Sequence, residues 1–179
     1  MSSAHKKVIV RRLTGETLPG YLSLSGFVQS GAAPLLDLSS RVVPIGLKDI
    51  KHICYVRDFN LNDTANPERL TRRTFLARPR AEGLWLRMTF RTGDLLEGLA
   101  PTDISLADDL IHDAGFFITP PDTRSNTQRI YIPRAALSEL HLIAVITSPS
   151  RRKPLPAETL PSLQEDLFNN MPPPNTRPN

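Results

Sequence analysis

A single cysteine, Cys54, among 179 residues excludes a disulfide framework and a cysteine-based zinc site. Long apolar runs are missing as well. No stretch reaches the roughly eighteen apolar residues of a membrane-spanning helix, and Met1-Ser2-Ser3-Ala4-His5-Lys6-Lys7 lacks the apolar core of a secretory signal. A soluble, cytoplasmic protein is therefore expected. Aromatic residues make up only 6%, which speaks against an extended base-stacking surface. No cofactor or metal motif is apparent, and none is expected to bind.

What is abundant is unevenly placed. Eight of the 17 prolines fall after residue 146. Ser148-Pro149-Ser150-Arg151-Arg152-Lys153-Pro154-Leu155-Pro156 cannot propagate a helix or a ladder, because each proline fixes φ and removes a donor. Residues 147–179 are expected to be a disordered, proline-rich tail. The net charge of +4 divides into +7 over residues 1–80 (13 Lys/Arg, 6 Asp/Glu), −4 over 81–146 (5 and 9) and +1 over the tail (4 and 3). A basic half implies either an anionic partner or a complementary half of the same chain.

Two segments repeat one pattern. Val8-Ile9-Val10-Arg11-Arg12-Leu13-Thr14-Gly15-Glu16-Thr17-Leu18-Pro19-Gly20-Tyr21-Leu22 aligns without gaps to Leu86-Arg87-Met88-Thr89-Phe90-Arg91-Thr92-Gly93-Asp94-Leu95-Leu96-Glu97-Gly98-Leu99-Ala100. Alternating apolar residues predict half-buried strands, and Thr-Gly-acid predicts a tight turn with positive φ. The second glycine of each copy predicts a strand bend or bulge. Downstream, residues 43–56 parallel residues 130–143: a short strand, a Pro/Gly-containing turn of helix, then an apolar strand. The fold class expected is all-β, with about five short strands per copy. The pattern resembles Sm-like and Src-homology-3-like barrels, which implies two tandem small β-barrels at 6–56 and 84–146.

Residues 57–83 between them form an Arg-rich linker with Arg57, Arg69, Arg72, Arg73, Arg78 and Arg80. Within it, Asn66-Pro67-Glu68-Arg69-Leu70 predicts the start of a short helix. Asn caps, Pro suits the first turn, and Glu complements the dipole.

Catalytic chemistry finds little support. Cys54 and His52 would share one face of an apolar strand, and buried inert thiols are common there. His5, His52, His112 and His141 show no ligand spacing. Asp108-Asp109 and His112-Asp113 read either as a cation-binding cluster or as an acidic surface loop. The protein is expected not to be an enzyme.

Arg69-Leu70-Thr71-Arg72-Arg73 is an Arg-x-x-x-Arg, followed by Asp103-Ile104-Ser105-Leu106-Ala107-Asp108. The order resembles PilZ domains, which receive cyclic-di-GMP, over about residues 67–146. It departs from them at Asp108, where that family has glycine. The resemblance implies that Arg69 and Arg73 grip the dinucleotide phosphates by forked hydrogen bonds, with Asp103 and Ser105 contributing from the barrel. A second candidate is the loop around residues 120–129, whose Asp122, Arg124, Asn126, Gln128 and Arg129 are either a specificity surface or simply good turn formers.

Two partner classes follow as alternatives. Sm-like barrels commonly bind single-stranded RNA, and here Lys6, Lys7, Arg11 and Arg12 would meet phosphates while Tyr21 or Phe27 stacks a base. In the tail, Gln164-Glu165-Asp166-Leu167-Phe168 resembles the peptide by which bacterial proteins dock on the DNA sliding clamp. Gln164, Leu167 and Phe168 would be its anchors on a protein partner. The other reading is a brief amphipathic turn folded back on the barrel. The leading expectation is a binding or regulatory module for a cyclic dinucleotide; the runner-up is a scaffold or RNA-binding barrel pair without a small ligand.

Overall fold

The Thr-Gly-acid turns close as the sequence predicts. In a computed structural model that describes residues 5–103, 106–107, 114–122 and 124–147, β1 (Lys6–Arg12) and β2 (Thr17–Leu22) form a hairpin. The Arg12 and Gly15 amides donate to Glu16 and Arg12 carbonyls at 2.9 and 3.0 Å, with Gly15 at φ +93°. β6 (Gly83–Phe90) and β7 (Leu95–Ala100) repeat the device. Phe90 and Gly93 donate to Asp94 and Phe90, and Gly93 sits at φ +86°.

The remaining strands are β3 (Ala32–Asp37), β4 (Val42–Gly46), β5 (Ile50–Val56), β8 (Gly115–Ile118), β9 (Thr127–Pro133) and β10 (Leu137–Ile146). A single 3-10 turn precedes β5 (Leu47–Asp49) and another precedes β10 (Arg134–Ala136). The described chain is thus mostly β, in two sheets. One has the order β4-β3-β2-β1-β5-β9-β8 and the other β10-β6-β7. Leu99 and Thr119 exchange backbone bonds at 3.0 and 2.8 Å, which links β7 to the end of β8.

Strand pairing in the two halves follows one register. Val8 faces Gly20 and Tyr55; its counterpart Leu86 faces Gly98 and Leu142. Leu35 faces Val43 as Ile118 faces Ile130, and Pro34 faces Pro44 as Phe117 faces Tyr131. The second glycine of each hairpin marks no bulge. Neither β1–β2 nor β6–β7 shows a register shift. A Cβ on Gly20 would lie 2.6 Å from the Leu36 carbonyl, and one on Gly98 would strike the Ile118 side chain. These glycines therefore make room for a crossing strand rather than for a bulge.

The strands β1 and β5 form a wall between two cores. Val8, Val10, Ile53 and Tyr55 point to a core with Leu22, Phe27, Leu35 and Ile45. Ile9, Cys54 and Val56 point the other way, to Leu86, Met88, Phe90, Phe116 and Ile130. Covered on both faces and flanked by β1 and β9, all seven residues of β5 are buried. Residues 5–103, 106–107, 114–122 and 124–147 fall within one compact unit, which ends at Thr147; the second unit, residues 148–179, lies outside the described residues.

The helix expected from Asn66 does not form. The Asn66 carbonyl accepts from the Arg69 amide at 2.9 Å and its side chain caps the Leu70 amide at 3.2 Å, but Arg69 then turns to φ +49°. A left-handed residue there stops the turn from continuing into a helix. Its carbonyls are drawn elsewhere: Pro67 and Glu68 accept from Asn60, Asn126 and Thr127 instead of from the next turn. Among the described residues, no helix is long and apolar enough to cross a membrane.

Candidate functional site

Residues 57–82, the linker that connects β5 to β6, are tied down by charge. Glu68, only 3% exposed, accepts a bidentate fork from Arg11: Nε to Oε1 at 2.7 Å and Nη2 to Oε2 at 2.8 Å. Burial opposes ionisation of Glu68, yet the Arg11 fork outweighs it and holds the carboxyl well below the usual carboxylate range. His52 lies 3.7 Å from the same carboxylate, too far for a hydrogen bond, and both of its ring nitrogens are buried without a partner. Burial lowers its pKa and keeps the ring neutral. Cys54, also buried, has its thiol pKa raised by desolvation. Neither a thiolate nor a positioned base is present on this strand face.

Two further acids bind arginines of the second half and the linker. Asp94 accepts from Lys51 Nζ at 2.6 Å, from Arg73 Nη1 at 2.6 Å and from the Thr92 hydroxyl. Burial acts against the charge, but these donors hold Asp94 well below the usual carboxylate range. Glu97 accepts from Arg87 at 2.7 and 2.9 Å, from Trp85 Nε1 at 3.2 Å and from the Phe75 amide at 3.0 Å. Its pKa is likewise lowered, against the effect of burial. Asp94 alone of these acids joins the basic and acidic halves, through Lys51 and Arg73; Arg11–Glu68 and Arg87–Glu97 each lie within one half.

A cleft of about 420 Å³ is different. It is lined by Arg57, Asp58, Asn60, Arg69 and Thr71 of the linker, and by Asp122, Arg124, Ser125 and Asn126 of the polar loop. Asn126 staples the two segments: its side chain accepts from the Asp58 amide at 2.9 Å and donates to the Asp58 carbonyl at 2.7 Å. Thr71 donates to Asp122 at 3.3 Å. Asp58 is engaged by Lys7 at 3.1 Å. The guanidinium groups of Arg57, Arg69 and Arg124, by contrast, make no ion pair or hydrogen bond among the described residues. Three such groups around one polar cleft are donors without acceptors, a setting suited to an anion.

A model of a family of unknown function, DUF6982, matches residues 4–144. The chain belongs to this family. No curated protein and no solved structure matches it. The matched span holds the cleft, both hairpins and most of β10.

In this DUF6982 chain the arginine pair of the linker is divided. Arg69 lines the cleft, whereas Arg73 lines a separate polar pocket with Arg11, Lys51 and Thr92 and is held by Asp94. Asp103 lies exposed beyond β7, among the lining residues of neither. Ser105 lies outside the described residues, as do Asp108, Asp109, His112 and Asp113 and the tail residues Gln164, Leu167 and Phe168. The polar loop divides too. Asp122, Arg124 and Asn126 join Arg69, while Gln128 and Arg129 belong to β9. The Arg129 guanidinium carbon stacks 3.7 Å from the Phe117 ring centroid. Among the residues considered for RNA, Phe27 is buried against Tyr131, Tyr21 packs edge-on to Phe59, and Arg11, Arg12 and Lys7 are paired with Glu68, Glu16 and Asp58.

Arg57 and Thr71 were not singled out as site residues from sequence. Only the enrichment of arginine in the linker pointed toward them, because the fold and not the spacing brings residue 57 beside residue 124. Among the described residues no cluster of three or more His, Cys, Asp or Glu side chains is placed to hold a metal.

Proposed function

We propose that this protein is a non-catalytic binding module whose ligand is anionic and phosphate-bearing, with a cyclic dinucleotide as the first candidate. The observation that carries the reading is the convergence of Arg57, Arg69 and Arg124 on one polar cleft without a carboxylate partner for any of them. In this reading Arg69 and Arg124 grip phosphate oxygens from the two walls, and Asn60, Thr71 and Ser125 supply neutral hydrogen bonds. Arg73 plays a structural part through Asp94. The matched registers of β1–β5 and β6–β10 support the accompanying view of two tandem small barrels, with the linker and the polar loop meeting between their ends.

The test is calorimetric titration of the full chain with cyclic-di-GMP, and with inorganic phosphate as the small-anion control. Loss of one charge-assisted contact costs about 1.5–3 kcal/mol, or roughly ten- to a hundredfold in affinity. Arg69→Ala and Arg124→Ala are expected to weaken binding by that factor. Absence of heat at high ligand concentration, or binding indifferent to both substitutions, overturns the reading.

The alternative is a scaffold with no small ligand. It is favoured by the pairing of Arg11 and Arg73 with Glu68 and Asp94, which neutralises part of the basic excess within the chain.

A further inference from the structure

The two halves are joined by one strand pairing, and the strands equivalent to that pair each have an open edge among the described residues. The last strand of the first half, β5, pairs with the fourth strand of the second half, β9: Ile53 faces Tyr131, Cys54 faces Ile130 and Tyr55 faces Arg129. By the shared register, the counterpart of β9 is β4, and the counterpart of β5 is β10. Among the described residues, each of these has a neighbour on one side only. β4 pairs with β3 and β10 pairs with β6, and both are terminal in their sheets.

Both edges expose apolar residues where an edge in water would favour charge, although β10 also carries the exposed Ser138, Glu139 and His141. Val42 is 64% exposed, and Val43 and Pro44 are also exposed. Along β10, Leu142 is 57% exposed, with Ile143 and Val145 exposed beside it. Their counterparts on β5 show what cover does: Tyr55, equivalent to Leu142, is buried against Phe117 and Tyr131.

We propose that β10 of one chain pairs with β4 of a second copy, repeating between chains the junction that β5 and β9 make within one. The register follows from the internal junction: Leu142 opposite Val42, His141 opposite Val43 and Leu140 opposite Pro44. Backbone geometry agrees at Val42. Pro34 and Pro44 face each other, and residues lacking N–H groups cannot exchange bonds, so theirs is a non-hydrogen-bonded pair. The peptide groups at Val42 and Pro44 therefore turn to the open edge. Val42 offers a donor and an acceptor, Pro44 an acceptor alone. Side chains agree as well. Where Tyr55, Phe117 and Tyr131 meet inside the chain, the junction between chains would bring together Leu142, Pro34 and Pro44. Such a contact uses different edges of the two partners, so it propagates head to tail and closes as a ring where the rotation allows.

The mass of the full chain in solution tests this, by light scattering at about 100 µM, where even a micromolar contact is populated. The wild-type protein is expected at a multiple of 19.9 kDa. Val42→Glu and Leu142→Glu each place a charge on an exposed strand position; both variants should keep the wild-type circular dichroism and run as monomers. Mixed together, they retain one intact β10 and one intact β4 edge and should form a two-chain species. A wild-type monomer, folded single variants that keep the wild-type mass, or a mixture that stays monomeric overturns the proposal.

Discussion

Arg11 and Glu68, 57 positions apart, face each other through two hydrogen bonds of 2.7 and 2.8 Å with the carboxylate almost wholly buried. This pair fixes the linker across β1. It also decides where the cleft can be, because Arg69 and Leu70 follow Glu68 directly: Leu70 enters the second core and Arg69 turns outward.

Removing one partner of a buried pair leaves the other charge uncompensated, at a cost of about 3–5 kcal/mol. Glu68→Ala is expected to lower unfolding free energy by that amount in a urea titration at pH 7. A loss under about 1 kcal/mol would show that the pair does not anchor the linker.

Acid should act in two stages. His52 has a lowered pKa in the folded protein, so below about 6.5 the unfolded chain takes up a proton that the folded one refuses, and stability falls. Glu68, held well below its ordinary 4.5 when folded, contributes stability that is complete above 4.5 and is lost as pH falls toward the lowered folded value. His52→Leu should flatten the first stage and leave stability at pH 7 within about 1 kcal/mol of wild type, since the buried ring nitrogens have no partners to lose. Unfolding free energies from pH 8 to pH 3 measure both effects. A pH profile unchanged by His52→Leu would contradict the first.

Gly20 and Gly98 are counterparts that admit a crossing side chain, Leu35 in one half and Ile118 in the other. Alanine at either position overpacks its core, an effect of about 1–3 kcal/mol. Gly98→Ala and Gly20→Ala should therefore lower the melting temperature to a similar extent. Tolerance of both would remove the close-approach explanation.

The linker arginines should separate in their effects. Arg73, with its side chain 51% exposed, shares Asp94 with Lys51 and Thr92, so Arg73→Ala is expected to cost under about 1 kcal/mol of stability. It should leave ligand affinity unchanged, whereas Arg69→Ala should reduce affinity without altering stability. The reverse pattern would place the ligand in the Arg73 pocket.

Local signals in the sequence were legible and distant ones were not. Gly15 and Gly93 announce their turns because positive φ is a property of the residue itself. Strands such as β1 announce themselves by alternation, and the repeat foretold that residues 43–56 and 130–143 share a course. The helix expected at Asn66 failed because its capping signals are local while the groups that claim the Pro67 and Glu68 carbonyls come from Asn60, Asn126 and Thr127. The arginine pair was divided for a similar reason. Four positions in a helix share a face, but in an irregular strap Arg69 and Arg73 diverge, and Asp94, from a hairpin turn, captures the second. Arg57 and Arg124 meet only because β5 and β9 pair.

The central claim concerns the cleft, and arginine side-chain NMR tests it most directly. With cyclic-di-GMP added to the full chain, the Nε–Hε resonances of Arg57, Arg69 and Arg124 are expected to shift together and saturate, while those of Arg73 and Arg87, held by Asp94 and Glu97, stay in place. Saturating ligand that leaves the first three resonances unmoved would contradict the account.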